Sequence, residues 1–229
     1  MSNAANLQSL YPHLGAAKRD PASLDAALLE SVRGKAAESR DANSRFFEAQ
    51  GPALIAAAQA LAALWRSGGK LFAMGNGGSS CDASHFTVEF LHPITTGRPA
   101  LPAVNLGADL AMISAVGNDV GFDQIFARQL IAQARVGDGV IGFSTSGNSA
   151  NLIAAFKVAK AHGLVTFGLA GGDGGQMKSG GLVDHGLVVE TSSVHRIQEC
   201  HVAAYHILWD LVHTLLSDTR GGLSDGARP

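Results

Sequence analysis

The chain contains 229 residues, of which 46% are hydrophobic and 16% are charged, and its formal net charge at pH 7 is -2. This composition is typical of an ordinary α/β protein, and the length favours one domain with a sizeable core. Because the basic residues are scattered rather than clustered, no nucleic-acid partner is expected. No membrane association is expected either, since the longest apolar stretch, Ala53 to Trp65, is too short to cross a bilayer.

The N-terminus and the cysteines indicate the compartment. No basic region followed by an apolar stretch begins the chain, which predicts no secretion signal and a cytoplasmic protein. Cys81 and Cys200 are too few for a disulfide framework, and both fall among apolar neighbours in predicted helices. We therefore expect both thiols to be reduced and buried in the core.

The sequence predicts a short arm, one long folded region and a short tail. Residues 1–22 mix proline, glycine and charge without periodicity, which predicts a flexible N-terminal arm. Residues 218–229 are rich in glycine and are expected to form a disordered tail. The remaining segment, 23–217, is expected to form a single domain with helices at its N-terminal end.

Helices and strands alternate through most of the predicted domain. Two helices come first, at 23–48 with Ser23 as the N-cap and at 51–66. Strands are predicted at 70–74, 101–106, 139–143, 164–169 and 186–190. Further helices are predicted at 82–91, 109–116, 123–134, 150–162 and 195–216. This alternation implies the α/β class, with a parallel sheet covered by helices on both faces.

Two loops rich in glycine and serine connect predicted strands to predicted helices, at 74–80 and 144–149. A helix N-terminus carries roughly half a positive charge and unpaired N–H donors, so it stabilises an anion without a basic side chain. Neither loop has the spacing of the common nucleotide-binding glycine motifs. Such residues also form simple turns. A pair of these loops nevertheless favours a phosphate site, and one for a sugar phosphate rather than a nucleotide.

His85 and Glu89 lie four residues apart in the helix that follows the first loop, so they share one helix face. Such a pair can bind a divalent metal ion, transfer protons, or form only a surface ion pair. The neighbouring Phe86 and Val88 are apolar, which predicts a largely buried helix. Because a buried histidine and glutamate require partners, a functional role is favoured.

The final predicted helix supplies further candidates, namely Gln198, Glu199, His201 and His206. A lone histidine on an apolar helix is more often a hydrogen-bonded core residue than a ligand. At 1.5 Å per residue, Gln198 and His206 are about 12 Å apart along the axis, so one straight helix cannot easily bring both to one ion. If both serve one type of site, a neighbouring subunit is expected to contribute.

The candidate residues belong to a series of motifs in a fixed order. These are GNGGS at 75–79, His85 with Glu89, VGND at 116–119 with Gly121 and Phe122, STSGNS at 144–149, DGG at 173–175, and RIQE at 196–199. With these motifs the chain resembles, from about 51 to 216, the phosphoheptose isomerases of the sugar isomerase (SIS) domain family. The resemblance implies a doubly wound, five-stranded parallel sheet of flavodoxin-like type and a cytoplasmic homotetramer with active sites between subunits. It also implies interconversion of sedoheptulose 7-phosphate and D-glycero-D-manno-heptose 7-phosphate for lipopolysaccharide or related heptose pathways.

The resemblance also implies roles for particular residues. Glu89 and His206 match the acid/base positions of the family. In zinc-containing members the metal ligands would correspond to His85, Glu89, Gln198 and His206. The substrate would be surrounded by Asn76, Gly77, Gly78, Ser79, Asp109, Ser144, Thr145, Ser146, Ser149 and Gln198. Because a residue that ligates zinc is a poor free base, Glu89 and His206 cannot serve independently as ligand and as acid/base at one instant.

The chain departs from the family pattern at three positions that would touch substrate. Pro93 stands near the position where an arginine usually follows the glutamate. Ala108 precedes Asp109 where a polar residue is usual, and His195 replaces a common acidic residue. These changes leave the acid/base pair intact and bear on which sugar phosphate is the substrate.

Two classes of function are compatible with the motifs. The first is an aldose–ketose isomerase, which needs a base, an acid and stabilisation of an enediolate. The second is a non-catalytic SIS module that senses sugar phosphate or assembles with a protein, as in the replication-initiator-associating relatives. Those relatives tend to lack the glutamate and the late histidine, whereas Glu89 and His206 are present here. The sequence therefore favours the isomerase, with a different sugar phosphate isomerase as a further alternative.

Overall fold

The computed structural model describes residues 21–218, so the predicted arm at 1–20 and the tail from 219 lie outside the described residues. The structure divides between Arg40 and Asp41 into two compact units. In the first unit, residues 21–40 are helical and residues 24–40 are mostly exposed, with an ion pair between Arg33 and Glu30 at 3.9 Å. No helix within 21–218 is both long and apolar enough to cross a bilayer.

The first helix, α1 (Pro21–Arg66), is one continuous element, so the predicted break between two N-terminal helices is wrong. The prediction ended the first helix at Glu48 and began the second at Gly51, and a proline in a helix interior removes a hydrogen bond. In the structure Pro52 lies inside the helix. Phe46 before it and Leu61 after it are both buried in the same core, so packing outweighs the local cost.

Five parallel strands follow, and the other helices connect them. The strands are β1 (Leu71–Gly75), β2 (Ala103–Asn105), β3 (Gly139–Ser144), β4 (Val165–Gly171) and β5 (His185–Val189). Their order in the sheet is β2-β1-β3-β4-β5, and every neighbouring pair is parallel. The doubly wound α/β sheet of flavodoxin-like order is thereby confirmed.

The connecting helices are α2 (Gly78–Leu91), α3 (Leu110–Asp119), α4 (Ala127–Gln133), α5 (Ala150–Ala161) and α6 (Gly175–Ser179), and α7 (Val194–Asp218) ends the described chain. The predicted helix at 123–134 is a 3-10 turn, Phe122–Gln124, followed by α4. The break allows the adjacent Ile125 and Phe126 both to be buried. The short helix α6 was not predicted, because its glycine-rich sequence resembles a turn.

The core has two layers, one on each face of the sheet. Leu71 and Ala73 of β1 belong to the layer that includes α2, α7 and the α1 segment from Ala42 onward. Phe72 and Met74 point to the opposite layer, which includes α3, α4 and α5. Because successive strand residues alternate between faces, strands of this kind read as continuous apolar runs.

One cysteine prediction is wrong. Cys200 is buried, and burial raises the pKa of its thiol to about 11. Cys81 is exposed, because it lies on the outer side of α2 while Asp82, Ala83 and Phe86 face inward. The prediction failed since apolar neighbours in sequence do not decide which side of a helix a residue occupies.

Candidate active site

The first glycine-rich loop, here called the β1 loop (75–80), turns directly from β1 into α2. Helix α2 begins at Gly78, earlier than predicted, so Ser79 and Ser80 lie in its first turn. The backbone N–H of Ser79 donates to Asn76 O at 3.0 Å, and that of Ser80 donates to Gly77 O at 3.0 Å. Ser79 is buried. The loop therefore presents the N-terminus of α2 at the carboxyl end of β1, where parallel sheets bind ligands.

The second loop, here called the β3 loop (144–149), turns from β3 into α5 in the same way. Buried Ser144 and the N-cap residue Ser149 are joined by a hydrogen bond between their hydroxyl oxygens, at 3.0 Å. Thr145 is half-buried, and Ser146 is exposed. The Ser146 Oγ accepts the backbone N–H of Asn148 at 3.2 Å. The exposed hydroxyl of Ser146 is thus held in place at the start of α5.

Two contacts fix the β3 loop against its neighbours. Asn76 of the β1 loop and buried Asn151 of α5 exchange reciprocal amide hydrogen bonds of 2.8 and 2.9 Å. On the other side, Gly147 has a φ of +64°, and a Cβ there would collide with the carbonyl of Gly174. These contacts give the DGG motif and Asn76 structural roles that bring both loops to one edge of the sheet.

Strands β1 and β3 are neighbours, and the chain leaves β1 toward β2 before returning to β3. The two loops therefore flank the point where the direction of winding reverses, the usual ligand crevice of such sheets. Asp109 follows β2 and is exposed; its carboxylate accepts the backbone N–H of Met112 at 3.0 Å and caps α3. The side chain predicted to bind substrate thus already has a structural partner.

Helices α2 and α7 lie side by side with a constant offset along the sequence. Tyr205 hydrogen bonds His85 at 2.7 Å, and Trp209 Nε1 donates to the carbonyl of Glu89 at 2.8 Å. Each pair is separated by 120 residues, so the two helices run parallel in register. Residues four apart on one helix therefore meet residues four apart on the other.

This register brings His85, Glu89 and His206 together. His85 Nε2 lies 3.0 Å from Glu89 Oε1, and the rings of His85 and His206 are 5.0 Å apart. One ligand atom from each residue lies within 4.8 Å of the others. The prediction that this helix face is largely buried is wrong, because the His85 side chain is 43% exposed and Val88 is 50% exposed. The cluster therefore opens to the outside of a single chain.

Gln198 lies apart from this cluster. Its side chain packs against Gly78, where an added Cβ would collide with Gln198 Nε2. Because α7 is a continuous helix, Gln198 lies about 12 Å along the axis from His206. Within one chain, the predicted metal ligands thus separate into a cluster of three residues and one distant amide at the β1 loop.

Burial shifts the pKa values of three groups on α2 and α7. Burial raises the pKa of Asp82 to about 6, although His85 opposes the shift. Burial also raises the pKa of Tyr205, and Asp82 and Glu89 add to that effect. His201 is fully buried, and burial lowers its pKa to about 4 although its Nε2–H donates to Ala170 O at 3.3 Å. His201 is therefore a neutral core residue rather than a site residue.

Three residues near the cluster escaped the sequence reasoning, namely Asp82, Tyr205 and Trp209. Tyr205 and Trp209 looked like apolar core residues on α7, and both pack on the core. The hydrogen-bond partners of their polar atoms lie 120 residues away in the sequence. These partners can be identified only from the way α2 and α7 pack together. Asp82 offered a weak signal, since it is an acidic residue one turn before His85.

The chain is similar in sequence to a known family and to named enzymes. Residues 36–171 match the family described as SIS domain. A phosphoheptose isomerase of Trichlorobacter lovleyi is 46% identical over 155 residues, which cover 68% of this chain and 78% of that protein. A second from a Geobacter species is 45% identical over 161 residues, covering 70% and 83%.

Solved structures of phosphoheptose isomerases are also similar to this chain. The phosphoheptose isomerase GmhA from Neisseria gonorrhoeae superimposes with a TM-score of 0.77 and 36% identity, covering 82% of this chain and 99% of that one. That from Francisella tularensis gives a TM-score of 0.78 and 34% identity, covering 81% and 98%. The chain belongs to the phosphoheptose isomerases of the SIS domain family. It is an enzyme, a sugar phosphate isomerase, and the non-catalytic alternative is set aside.

Proposed function

We propose that this chain interconverts sedoheptulose 7-phosphate and D-glycero-D-manno-heptose 7-phosphate by proton transfer through an enediolate. The observation that carries the proposal is the cluster of His85, Glu89 and His206 on parallel helices, with ligand atoms within 4.8 Å of one another. The named relatives support the heptose substrate, since they are phosphoheptose isomerases.

Glu89 and His206 divide the proton transfers in this proposal. An aldose–ketose isomerisation removes a proton from the carbon beside the carbonyl and delivers one to the carbonyl oxygen. A carboxylate serves as the base and an imidazole serves as the acid. His85 contacts both residues, at 3.0 Å from the Glu89 carboxylate and 5.0 Å between the histidine rings, so it orients the pair.

The same cluster fits a zinc ion. Two imidazoles and one carboxylate are ligands that zinc prefers, and three protein ligands leave a position for substrate. The ion would be held by His85, Glu89 and His206, and it would stabilise negative charge on the enediolate oxygens. A Glu89 carboxylate bound to zinc would be a weaker base, so the metal and the acid/base roles make different predictions for Glu89.

The β1 and β3 loops bind the phosphate in this proposal. Both present helix N-termini at one edge of the sheet, and Ser146 and Thr145 add hydroxyl donors. The residues proposed to surround the substrate at these loops are Asn76, Gly77, Gly78, Ser79, Ser144, Thr145, Ser146 and Ser149, with Asp109 and Gln198 beside them. The reciprocal pair of Asn76 with Asn151 means that Asn76 would act mainly through its backbone.

We also propose that the site is completed by a second copy of the chain, in a homo-oligomer such as the tetramer. The distance between Gln198 and the cluster supports this, because a neighbouring chain would supply the missing amide. The apolar residues of α7 do not support it, since Val202, Tyr205, Trp209 and Val212 all pack on the core of their own chain. Exposed apolar residues provide better support. Val88 and Leu91 flank Glu89 on α2, and Ile207 follows His206.

The substrate is tested by incubating the purified protein with a panel of ketose and aldose phosphates and following interconversion by NMR. Sedoheptulose 7-phosphate is expected to be converted fastest. Faster conversion of a shorter sugar phosphate would overturn the heptose assignment while leaving the isomerase in place. The changes at Pro93, Ala108 and His195 make this panel informative.

The shared site is tested by complementation. A Glu89→Gln variant is mixed with a Gln198→Ala variant, so that an intact cluster from one chain can meet an intact Gln198 from the other, and subunit exchange is verified by mass spectrometry. Partial recovery of activity is expected, because some mixed interfaces would hold one complete site. An active monomer in sedimentation, or no recovery after verified exchange, would count against it.

A further inference from the structure

The hydroxyl of Tyr205 is directed at the ring of His85 from inside the protein. Tyr205 is 1% exposed, and its Oη lies 2.7 Å from His85 Nδ1. The other ring nitrogen, Nε2, faces outward and lies 3.0 Å from Glu89 Oε1. Both nitrogens of His85 are therefore engaged, one by a buried phenol and one by the site carboxylate.

We propose that Tyr205 is a positioning residue that holds His85 through Nδ1 in both neutral tautomers, so that Nε2 can face the site either as a proton donor or as a lone pair. This inference rests on the proposed function only in taking His85 as a site residue. Tyr205 would act through His85 and would not touch the substrate.

The hydrogen-bond chemistry assigns the proton in the metal-free protein. A carboxylate only accepts hydrogen bonds, so His85 Nε2 must carry the proton and donate it to Glu89. His85 Nδ1 then has a lone pair and accepts the Tyr205 O–H, which stays protonated because a phenol has an ordinary pKa of about 10. The opposite tautomer would set a nitrogen lone pair against the carboxylate.

A metal at Nε2 would require the opposite arrangement. Nε2 must then offer its lone pair, and the single proton of the neutral ring sits on Nδ1 after exchange with water. The Tyr205 oxygen accepts that Nδ1–H, because a hydroxyl can both donate and accept. The phenol thereby supports both tautomers without moving its oxygen. Phenylalanine would support neither.

The alternative is that Tyr205 is only a core aromatic residue whose hydroxyl needs some partner. Its ring packs against Phe86 and Phe143, at centroid distances of 6.2 and 6.0 Å. Tyr205→Phe keeps this packing and removes one oxygen atom, so it separates the two explanations. Trp209→Phe is the matched control, because it removes the hydrogen bond to the Glu89 carbonyl and leaves both ring nitrogens of His85 untouched.

The experiment records the ¹⁵N resonances of labelled histidine in the full chain, with the His85 signals assigned by their loss in His85→Asn. The metal-free native protein is expected to show the Nε2–H form, and addition of zinc is expected to produce the Nδ1–H form. Tyr205→Phe should keep the Nε2–H form without metal, because Glu89 still accepts that proton, and should bind zinc about 10- to 100-fold more weakly in a chelator competition. Trp209→Phe should retain the native zinc affinity.

An Nδ1–H form in the metal-free native protein would overturn the proposal. So would a Tyr205→Phe variant with native zinc affinity. If that variant does not fold, the native spectrum with and without zinc decides the question alone. If no zinc binds to the native protein, the metal part of the proposed function fails, while the metal-free tautomer of His85 still tests whether Tyr205 donates to Nδ1.

Discussion

The sheet-edge loops and the α2–α7 pair are held by different kinds of contact. The β1 and β3 loops are fixed mainly by backbone hydrogen bonds, close glycine contacts and the Asn76–Asn151 pair. The cluster on α2 and α7 is fixed by the side chains of Tyr205 and Trp209 across two parallel helices. In the proposed function, binding of the phosphate group therefore depends on the local backbone, whereas proton transfer depends on the register between distant segments.

Because the contacts differ, mutations in the two regions are expected to have different consequences. A change in the loops should alter substrate affinity or folding, because the phosphate takes no part in the chemical step. A change in the helix cluster should alter turnover, because its groups are proposed to act on the reacting carbons. The following predictions test that division, from the largest expected effect to the smallest.

The largest effect is expected at His206. His206→Asn should lower kcat on the order of a hundredfold or more with little change in the melting temperature, because it removes an acid/base group from an exposed position. Steady-state assays and thermal melts provide the two measurements. His162→Asn is the control, since His162 is exposed at the end of α5, and its turnover should match the native enzyme. Near-native turnover of His206→Asn would show that His206 takes no part in the proton transfers.

In the β3 loop, Ser144→Ala combined with Ser146→Ala should weaken sugar phosphate binding by ~1–3 kcal/mol, through lost hydrogen bonds to a charged group. Calorimetric titration of a product or an inhibitor into each variant measures the affinity for the sugar phosphate. The two single variants sharpen the result. Ser146 is exposed and should account for most of the affinity, whereas buried Ser144 should affect stability through its bond to Ser149. Unchanged affinity in the double variant would show that the phosphate does not bind at this loop.

The buried His201 should make stability depend on pH. Its folded pKa of about 4 lies below its ordinary value of 6.5, so the unfolded chain binds a proton that the folded protein does not. As the pH falls from 7 to 5, this difference in pKa should lower the free energy of unfolding by about 2 kcal/mol. His201→Gln should be less stable at pH 7 and lose that part of the pH dependence in urea unfolding. An equal slope in both proteins would contradict the assigned pKa.

The last prediction concerns the difference in stability between variants of two glycines of the β1 loop. A Cβ at Gly75 would collide with the backbone oxygen of Ser79, whereas a Cβ at Gly78 would collide with the end of the Gln198 side chain. Because a side chain can move and backbone cannot, Gly75→Ala should lower stability by ~1–3 kcal/mol, and Gly78→Ala by less. Adding Gln198→Ala should restore the stability of Gly78→Ala. Equal losses that the second change does not repair would show that Gln198 is not the obstacle.

The fold and the loops could be predicted from the sequence because their signals are local. Alternation of apolar runs and helices gave the parallel sheet, and glycine and serine at 75–80 and 144–149 marked the loops. The continuity of α1 through Pro52 could not be predicted, because packing on both sides of the proline decides it.

The helix cluster could be predicted only in part. The spacing of His85 and Glu89 put them on one face, and the family resemblance added His206. The role of Tyr205 and the distance of Gln198 from the cluster depend on how α2 and α7 lie against each other. Sequence periodicity identifies the face of one helix but not the register between two.

The central claim is that Glu89 on the α2–α7 pair moves the proton in a sugar phosphate isomerisation. The most direct measurement is ¹H NMR of sedoheptulose 7-phosphate in D₂O with the native enzyme and with Glu89→Gln at equal zinc content. The native enzyme should form the aldose phosphate with deuterium at C2, and Glu89→Gln should slow its formation on the order of a hundredfold. An unchanged substrate with the native enzyme, or an equal rate and deuterium content with Glu89→Gln, would contradict the claim.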